Sequence, residues 1–534
     1  VTSNTDVTPD ADHLTPVAKS RHFALVYVSL LVAMLLASLD QIIFSAALPT
    51  IVGELQGLEQ MLWVPTAYIL AATIVMPVYG KVGDLIGRRL LFLGALALFI
   101  GGSVLGGLAD AMPTLITARA IQGLGGGGLI ILAQAIVADL VPLRERSTYM
   151  SAIGGIAVVS AVAGPLIGGW LTEGIGWRWA FWINVPLGLL AMVAAWRFLP
   201  RTRRPARFTF DTAGFVALSV AVTAVVVITA TGGRTHDWGS LQILGLSALA
   251  VVALGAFIAV ERRAANPILP LSLFRSRNFV VATVIGLALT VAMFGVMGYF
   301  PTYLQMARGY DATEAGLLII PLVIGLMLTI MPTGVLVSRT GRYKWMLFTS
   351  PALTAVALLL LSTLTVSTPT WLATIYLFLL GAGVGFGAQN VVLVAQSAFP
   401  VREVGTATAA NNFFREIGAS FGAAAVGAFF TGRLTAELRN RLPGDAGTEE
   451  VSSLTPQLVR TFAGPARDAV TVSYNEALTP IFLLVVPLMI AMALLAFLIR
   501  ETPLTSDEGI EVGVLWTPSD EVSGDPEGRR VPSA

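Results

Sequence analysis

Apolar runs of roughly 18 to 25 residues recur along almost the whole chain, and a run of that length crosses a hydrocarbon core about 30 Å thick. Inside a bilayer the backbone N–H and C=O groups find no water, so a chain that crosses repeatedly must close its hydrogen bonds within each helix. Composition agrees: 55% of the 534 residues are hydrophobic and 12% are charged, and the mean hydropathy is +0.78. The sequence therefore predicts an all-α polytopic membrane protein. Its fourteen expected spans are 23–46, 61–80, 90–109, 114–138, 150–172, 180–199, 211–231, 239–260, 278–303, 312–335, 346–366, 371–396, 404–430 and 476–499.

Several function classes drop out at once. A net charge of +1 gives no basis for a nucleic-acid partner, and the absence of cysteine removes disulfides, thiolate metal sites and thiol nucleophiles. His13, His22 and His236 are scattered over a tail, a helix start and a loop, so no metal site is expected. No span carries a P-loop, which makes ATP an unsuitable direct energy source; no cofactor is expected and nothing points to an enzyme. The first apolar run starts near Phe23 and is too long for the apolar core of a signal peptide, so it is expected to remain as the first helix. With both termini cytoplasmic, most of the 33 basic residues fall in cytoplasmic connections, including Lys81, Arg88, Arg89, Arg201 to Arg207, Arg262, Arg263, Arg339, Arg342 and Lys344.

An internal repeat sets the organisation. Gly80, Gly87 and Arg88 recur 254 positions later as Gly334, Gly341 and Arg342. Gly123, Gly125, Gly127, Pro142, Arg144 and Glu145 recur 258 positions later as Gly381, Gly383, Gly385, Pro400, Arg402 and Glu403. Two six-helix halves, 23–199 and 278–499, are expected, with residues 200–277 as an inserted transmembrane hairpin carrying basic linkers. Tails at 1–22 and 500–534 read as cytoplasmic and disordered, and 431–475 as the one long external loop. Parallel repeats of this kind place a substrate cavity at their interface, near the bilayer midplane.

The segments Gly80-Lys-Val-Gly-Asp-Leu-Ile-Gly-Arg-Arg89 and Leu39-Asp-Gln-Ile-Ile-Phe-Ser-Ala-Ala-Leu-Pro49 resemble two motifs. The first is the loop motif of the major facilitator superfamily; the second is the first-helix motif of its fourteen-helix drug:proton antiporter branch. Together with the segments below, the resemblance covers residues 23 to 500. It implies a fold of two six-helix bundles plus the hairpin, fourteen helices in all. In that frame Gly80, Asp84, Gly87 and Arg88 are expected to gate the conformational change, with Arg88 latching one state through carboxylates or helix ends. Topogenic charge alone is the plainer account of the same residues.

Arg119-Ala-Ile-Gln-Gly123 resembles the fourth-helix motif of the family, which implies proton relay or gating for Arg119; a structural hydrogen bond is the alternative. The glycines from Gly123 to Gly128 follow no strand and lie in an apolar span, so they read as a helix-packing face rather than a nucleotide site. Gly164-Pro-Leu-Ile-Gly-Gly169 resembles the antiporter motif on the fifth span, with Ser151 and Ser160 where glycines are expected. That resemblance implies gating by Gly164, Pro165, Gly168 and Gly169. Trp177-Arg-Trp-Ala-Phe-Trp-Ile-Asn-Val-Pro186 looks like the branch's junction of spans five and six, where an interfacial aromatic belt would also put tryptophans.

Two acids stand apart. Asp40 lies deep in the first span with no base nearby in sequence, where a charge costs roughly 2.5 to 3.5 kcal/mol. It is expected to carry protons, or a cationic substrate, or else to be locked to Arg119 or a backbone donor. On the proton reading, neutralising it costs no stability. Glu416 shares a helix face with Asn412 but not with Arg415, and stands open between a second acidic site and a packing pair. Polar and aromatic residues within or at the ends of the spans, Trp63, Tyr68, Gln122, Tyr299, Gln389, Asn390, Asn411, Asn412 and Phe413, are the candidates for binding substrate.

The function expected from all of this is proton-coupled antiport that exports hydrophobic, often cationic, drugs or amphiphiles by alternating access across the cytoplasmic membrane. The partners are lipophilic small molecules, protons and membrane lipids, and the chain is expected to be a monomer. A dedicated exporter of one metabolite, lipid or antibiotic is the nearest alternative, followed by an uptake symporter and a non-transporting sensor or scaffold.

Overall fold

The computed structural model describes residues 21–200, 209–233, 236–441, 458–459, 462 and 464–501. Among these residues fourteen helices are long and apolar enough to cross a membrane. In the first half they are α1 (Arg21–Glu54), α2 (Trp63–Ile86), α3 (Arg88–Gly107), α4 (Met112–Leu140), α5 (Leu143–Glu173) and α6 (Trp179–Phe198). The inserted pair is α7 (Thr212–Thr231) and α8 (Leu241–Glu261). The second half holds α9 (Arg277–Arg308), α10 (Thr313–Thr340), α11 (Lys344–Ser362), α12 (Thr370–Ser397), α13 (Val404–Arg441) and α14 (Gly464–Ala496).

The repeat seen in sequence returns as repeated packing. α2 lies on α4 as α10 lies on α12, α1 on α5 as α9 on α13, and α3 on α4 as α11 on α12. Glycines set the distances: the backbones of α2 and α3 press against Gly123, Gly125 and Gly127 of α4 so closely that no Cβ would fit. The expected packing role of this glycine run is thus what the structure shows. Helix starts follow the polar residues before them, with Asp211 capping α7 through Gly214 N–H at 2.9 Å and Ser276 capping α9.

The inserted hairpin leans on the seam between halves. α7 contacts both α2 and α13, and Leu218, Val222 and Val226 join a buried cluster with Leu273 of the connection before α9 and with Phe279 and Phe413 of the second half. α8 is backed by α7 and turns most of its surface outward, with Leu241 85% and Val251 72% exposed. At its foot, Glu261 Oε1 accepts from the Ile268 and Leu269 N–H groups at 2.9 and 3.1 Å, folding the connection back under the bundle.

Some boundaries differ from expectation. Helix occupies both ends of the segment read as a long loop, because α13 runs on through Arg441 and α14 begins at Gly464. Hydropathy missed these turns since they are polar outside and carried by buried Leu434 and Leu438, with Arg441 paired to Glu437 and Glu476. α5 likewise starts at Leu143 rather than 150, drawing Arg144 and Arg146 into helix. His13, Arg201 to Arg207 and nearly all of both tails lie outside the described residues.

Candidate transport site and gate

The first half holds a polar cluster at its centre. Asp40 of α1 is 2% exposed and Arg119 of α4 is 1% exposed. Arg119 Nη1 donates to Asp40 Oδ2 and, at 3.0 Å, to Gln122 Oε1. Asp40 Oδ1 accepts from Gln122 Nε2 at 3.0 Å and from Asn184 Nδ2 at 2.7 Å. Ser103 of α3 closes the ring, accepting from Gln122 Nε2 at 2.8 Å. The guanidinium lies between two aromatic faces, 4.5 Å from the ring centres of Phe44 and Tyr68. α3 comes near enough because Gly102 has no Cβ; one there would sit 2.7 Å from the Gln122 backbone nitrogen. In low dielectric such a pair is costly to form and costlier to break, since removing one partner strands the other. Among the described residues the buried Arg119 Nε has no hydrogen-bond partner.

Glu416 belongs to the other half. It is half-buried on α13 and interacts electrostatically with Tyr68 across the interface and with Arg415 beside it. Its carboxylate has no hydrogen-bond partner among the described residues. Arg415 turns away to pack along α9 at Gly286, while Asn412 donates to Gln134 Oε1 of α4 at 2.9 Å. Gln389 lies at the break in α12 and presses on Gly154 of α5.

The remaining substrate-binding candidates scatter. Asn390 donates to Phe386 O at 2.7 Å and Asn411 to Thr283 Oγ1 at 3.2 Å, both inside the second half. Phe413 joins the cluster under the hairpin, Tyr299 packs on Phe430 with centroids 5.5 Å apart, and Trp63 sits at the far end of α2, facing the hairpin. Asn184 and Ser103 were missed by sequence reasoning. The signal for Ser103 was a hydroxyl in an otherwise apolar span; for Asn184 it was its place in the Trp177–Pro186 segment.

At one end of the bundle the halves are bolted together. Asp84 Oδ2 accepts from the Thr406 N–H at 2.6 Å and Thr406 Oγ1 at 2.7 Å, and Oδ1 from the Gly405 N–H at 3.1 Å. A carboxylate of α2 therefore caps the N-terminus of α13, where the helix dipole favours an anion. Arg88 braces it, donating to Asp84 at 2.8 Å and pairing with Asp139 at 2.7 Å. Gly87, at φ +102°, makes the sharp turn from α2 to α3 that puts Arg88 there.

The repeat builds this contact twice. A Cβ on Gly80 would lie 2.6 Å from Gly405 O, and one on Gly334 would lie 2.6 Å from Ser147 O. Those partners are repeat mates, as are Asp84 with Ser338 and Thr406 with Thr148. In the second copy Ser338 and Thr148 share a hydrogen bond of 3.0 Å, and Arg144 donates to Ser338 O and Arg339 O at 2.9 and 2.8 Å. Ser151 stands against Gly334, so the small residue that closeness demands is on α10.

On α5, Gly164 and Gly168 admit Ile42 and Ile43 of α1, while Gly169 has open space and Pro165 is exposed. At the end away from Asp84, Glu54 accepts from Trp177 Nε1 at 2.7 Å and Arg178 Nη1 at 2.6 Å. Trp177 is 2% exposed, a strut in protein and not a belt residue in lipid. Hydrogen bonds from Arg178 and Trp177 hold the Glu54 carboxyl below its usual range.

Two repeated halves of membrane-spanning helices, with a buried charged pair in one and a hydrogen-bonded contact across both, define the architecture of a polytopic membrane protein. The family model of the Major Facilitator Superfamily matches residues 30–423, and the chain belongs to that superfamily. It is 41% identical over 505 residues to an uncharacterized MFS-type transporter of Mycobacterium tuberculosis, covering 94% of this chain and 72% of the relative. It is 35% identical over 436 residues to the multidrug transporter protein MdtP of Bacillus subtilis, covering 81% and 80%. Its fold matches the proton:xylose symporter XylE with a TM-score of 0.57 at 15% identity, covering 93% of this chain and 99% of that one. The chain is thus a multi-pass transporter of that superfamily, with multidrug relatives, and not an enzyme.

Proposed function

We propose that this transporter is a proton-coupled antiporter that exports hydrophobic, often cationic, small molecules across the cytoplasmic membrane by alternating access. The observation that carries it is the buried Asp40–Arg119 pair stacked on Tyr68, with Glu416 of the other half in electrostatic reach of the same tyrosine. Multidrug relatives and the Gly164–Gly169 segment favour export over uptake. The Lys and Arg asymmetry puts both termini and the Asp84 latch on the cytoplasmic side. The latched state then faces outward, where protons enter.

In that state the Asp40 carboxylate accepts from three donors, whereas Glu416 has no hydrogen-bond donor among the described residues. Protons from outside load first on Glu416, and Asp40 takes one only as Arg119 moves off it. Release of Arg119 slides its guanidinium along Tyr68, whose backbone abuts α4 at Gly123. A change in the first half is thereby passed to the seam with α13. Substrate arriving from the cytoplasm in the opposite state displaces the protons.

The test is efflux from proteoliposomes under an imposed pH gradient, with proton flux followed simultaneously. Export driven by the gradient in the wild-type protein and absent in Asp40→Asn is expected. Undiminished proton-coupled efflux in Asp40→Asn would remove Asp40 as carrier and leave Glu416.

A further inference from the structure

One hydroxyl decides how two amides are turned around Asp40. Ser103 Oγ donates to Phe99 O at 2.8 Å, one turn back on α3. A hydroxyl has a single hydrogen, so towards the cluster Ser103 can only accept. Gln122 Nε2 meets it at 2.8 Å and Asn184 Nδ2 at 3.4 Å, and the same two nitrogens donate to Asp40 Oδ1 at 3.0 and 2.7 Å. That orientation of Gln122 leaves its Oε1 to accept from Arg119 at 3.0 Å. Oδ1 of Asp40 thus holds two neutral donors, while among the described residues Oδ2 has only Arg119. The fold does not require this ring. In the second half α11 packs on α12 as α3 does on α4, yet the repeat mates of Arg119 and Gln122 are Leu377 and Leu380, both fully buried.

The two oxygens therefore answer a proton differently. A neutral N–H can donate to the carbonyl of a carboxylic acid as well as to a carboxylate, so both amides keep their bonds when Asp40 is protonated. Arg119 then loses its ionic partner and retains Gln122 Oε1. We propose that Ser103 and Asn184 are positioning residues for Asp40: they keep amide N–H groups on Oδ1 through both charge states, so that Oδ2, under Arg119, is the atom that takes and gives up the proton. The inference rests on the reading of Asp40 as a proton carrier. The charged and titratable groups that face Asp40 among the described residues are Arg119 of α4 and Tyr68 of α2. The Tyr68 hydroxyl is committed to α1, donating to Ala37 O at 3.2 Å, and Glu416 of α13 acts on Tyr68. Gly164 and Gly168 of α5 meet α1 at Ile42 and Ile43, and α6 brings the Asn184 amide.

Infrared difference spectra of the full-length protein, taken between acidic and alkaline buffer, read the carboxylic C=O stretch of Asp40, identified by its absence in Asp40→Asn. With the proton on Oδ2 the C=O oxygen is Oδ1, which carries both amides. Asn184→Leu removes one of them, so the band is expected at higher wavenumber. The pH midpoint of gradient-driven efflux should rise with it by about one unit, because a donor to the carboxylate is lost. Ser103→Ala, which frees both amides to turn, should move band and midpoint in the same direction, and Ser103→Thr should restore them; this pair carries the test if Asn184→Leu fails to fold. A band indifferent to Asn184→Leu and Ser103→Ala would place the proton on Oδ1 and overturn the proposal, with Asp40 still a carrier. Absence of any Asp40 band in the wild-type spectra would remove Asp40 as a carrier and the proposal with it.

Discussion

Arg119 is held by its shape as much as by its charge. One nitrogen serves both Asp40 and Gln122 while the flat guanidinium fills the gap between Phe44 and Tyr68, and an ammonium reproduces neither. Arg119→Lys is therefore expected to lose about 100-fold in gradient-driven transport, a difference of about 2.7 kcal/mol, at near-normal expression. Loss of folded protein in proportion would make the role structural instead. The pairing reverses one expectation from sequence: with Arg119 as partner, Asp40→Asn strands a buried cation, so thermal unfolding should show a loss of about 3 kcal/mol. Asp40→Asn combined with Arg119→Gln should recover part of it, and an additive loss would argue against the pair. Hydropathy exposed Asp40 and Arg119 as charges in apolar spans, yet could not join them, because the contact spans 79 positions. Asn184 was passed over where Gln122 and Asn412 were not, because it sits near the start of its span within the aromatic Trp177–Pro186 segment.

At the scale of helices, two repeat-related crossings hold the Asp84 end shut, but their chemistry differs. The α2–α13 crossing puts a carboxylate on a helix N-terminus, while the α5–α10 crossing joins a hydroxyl pair with the Arg144 guanidinium on carbonyls of the last turns of α10. Asp84→Asn should cost about 1–2 kcal/mol of the latched state, shifting its population roughly 5- to 30-fold. Thr148→Ala should shift it less, by about 1 kcal/mol. Distances between spin labels on α2 and α13 would report both, and equal effects would deny the asymmetry. Gly80→Leu should spread the crossing by steric push, detected the same way. The Glu54 strut adds a pH dependence at the other end. Its folded-state pKa is depressed, so its contribution is present above the unfolded value and fades as pH falls through the folded one. Glu54→Gln should thus differ from wild type at neutral pH, by under about 1 kcal/mol for so exposed a pair, and converge with it in acid.

For the molecule as a whole, the proposed orientation and coupling are directly measurable. Single cysteines placed in this cysteine-free chain at the Arg342 connection should resist labelling from outside intact cells; ready labelling would invert the topology. One proton exchanged for one monovalent cation moves no net charge, so that export should respond to a pH gradient and ignore the membrane potential. A neutral substrate should respond to both, at about 2.3 kcal/mol per 100 mV and about 1.4 kcal/mol per pH unit. Fourteen spans and two halves were legible before any coordinates, because span length and repeat spacing are local properties that the bilayer and the backbone's need for hydrogen bonds enforce on every segment alike. Which polar residues meet was settled only by packing. Asp40, Ser103, Arg119 and Asn184 come from four helices, and nothing in one helix's periodicity specifies what another places opposite it.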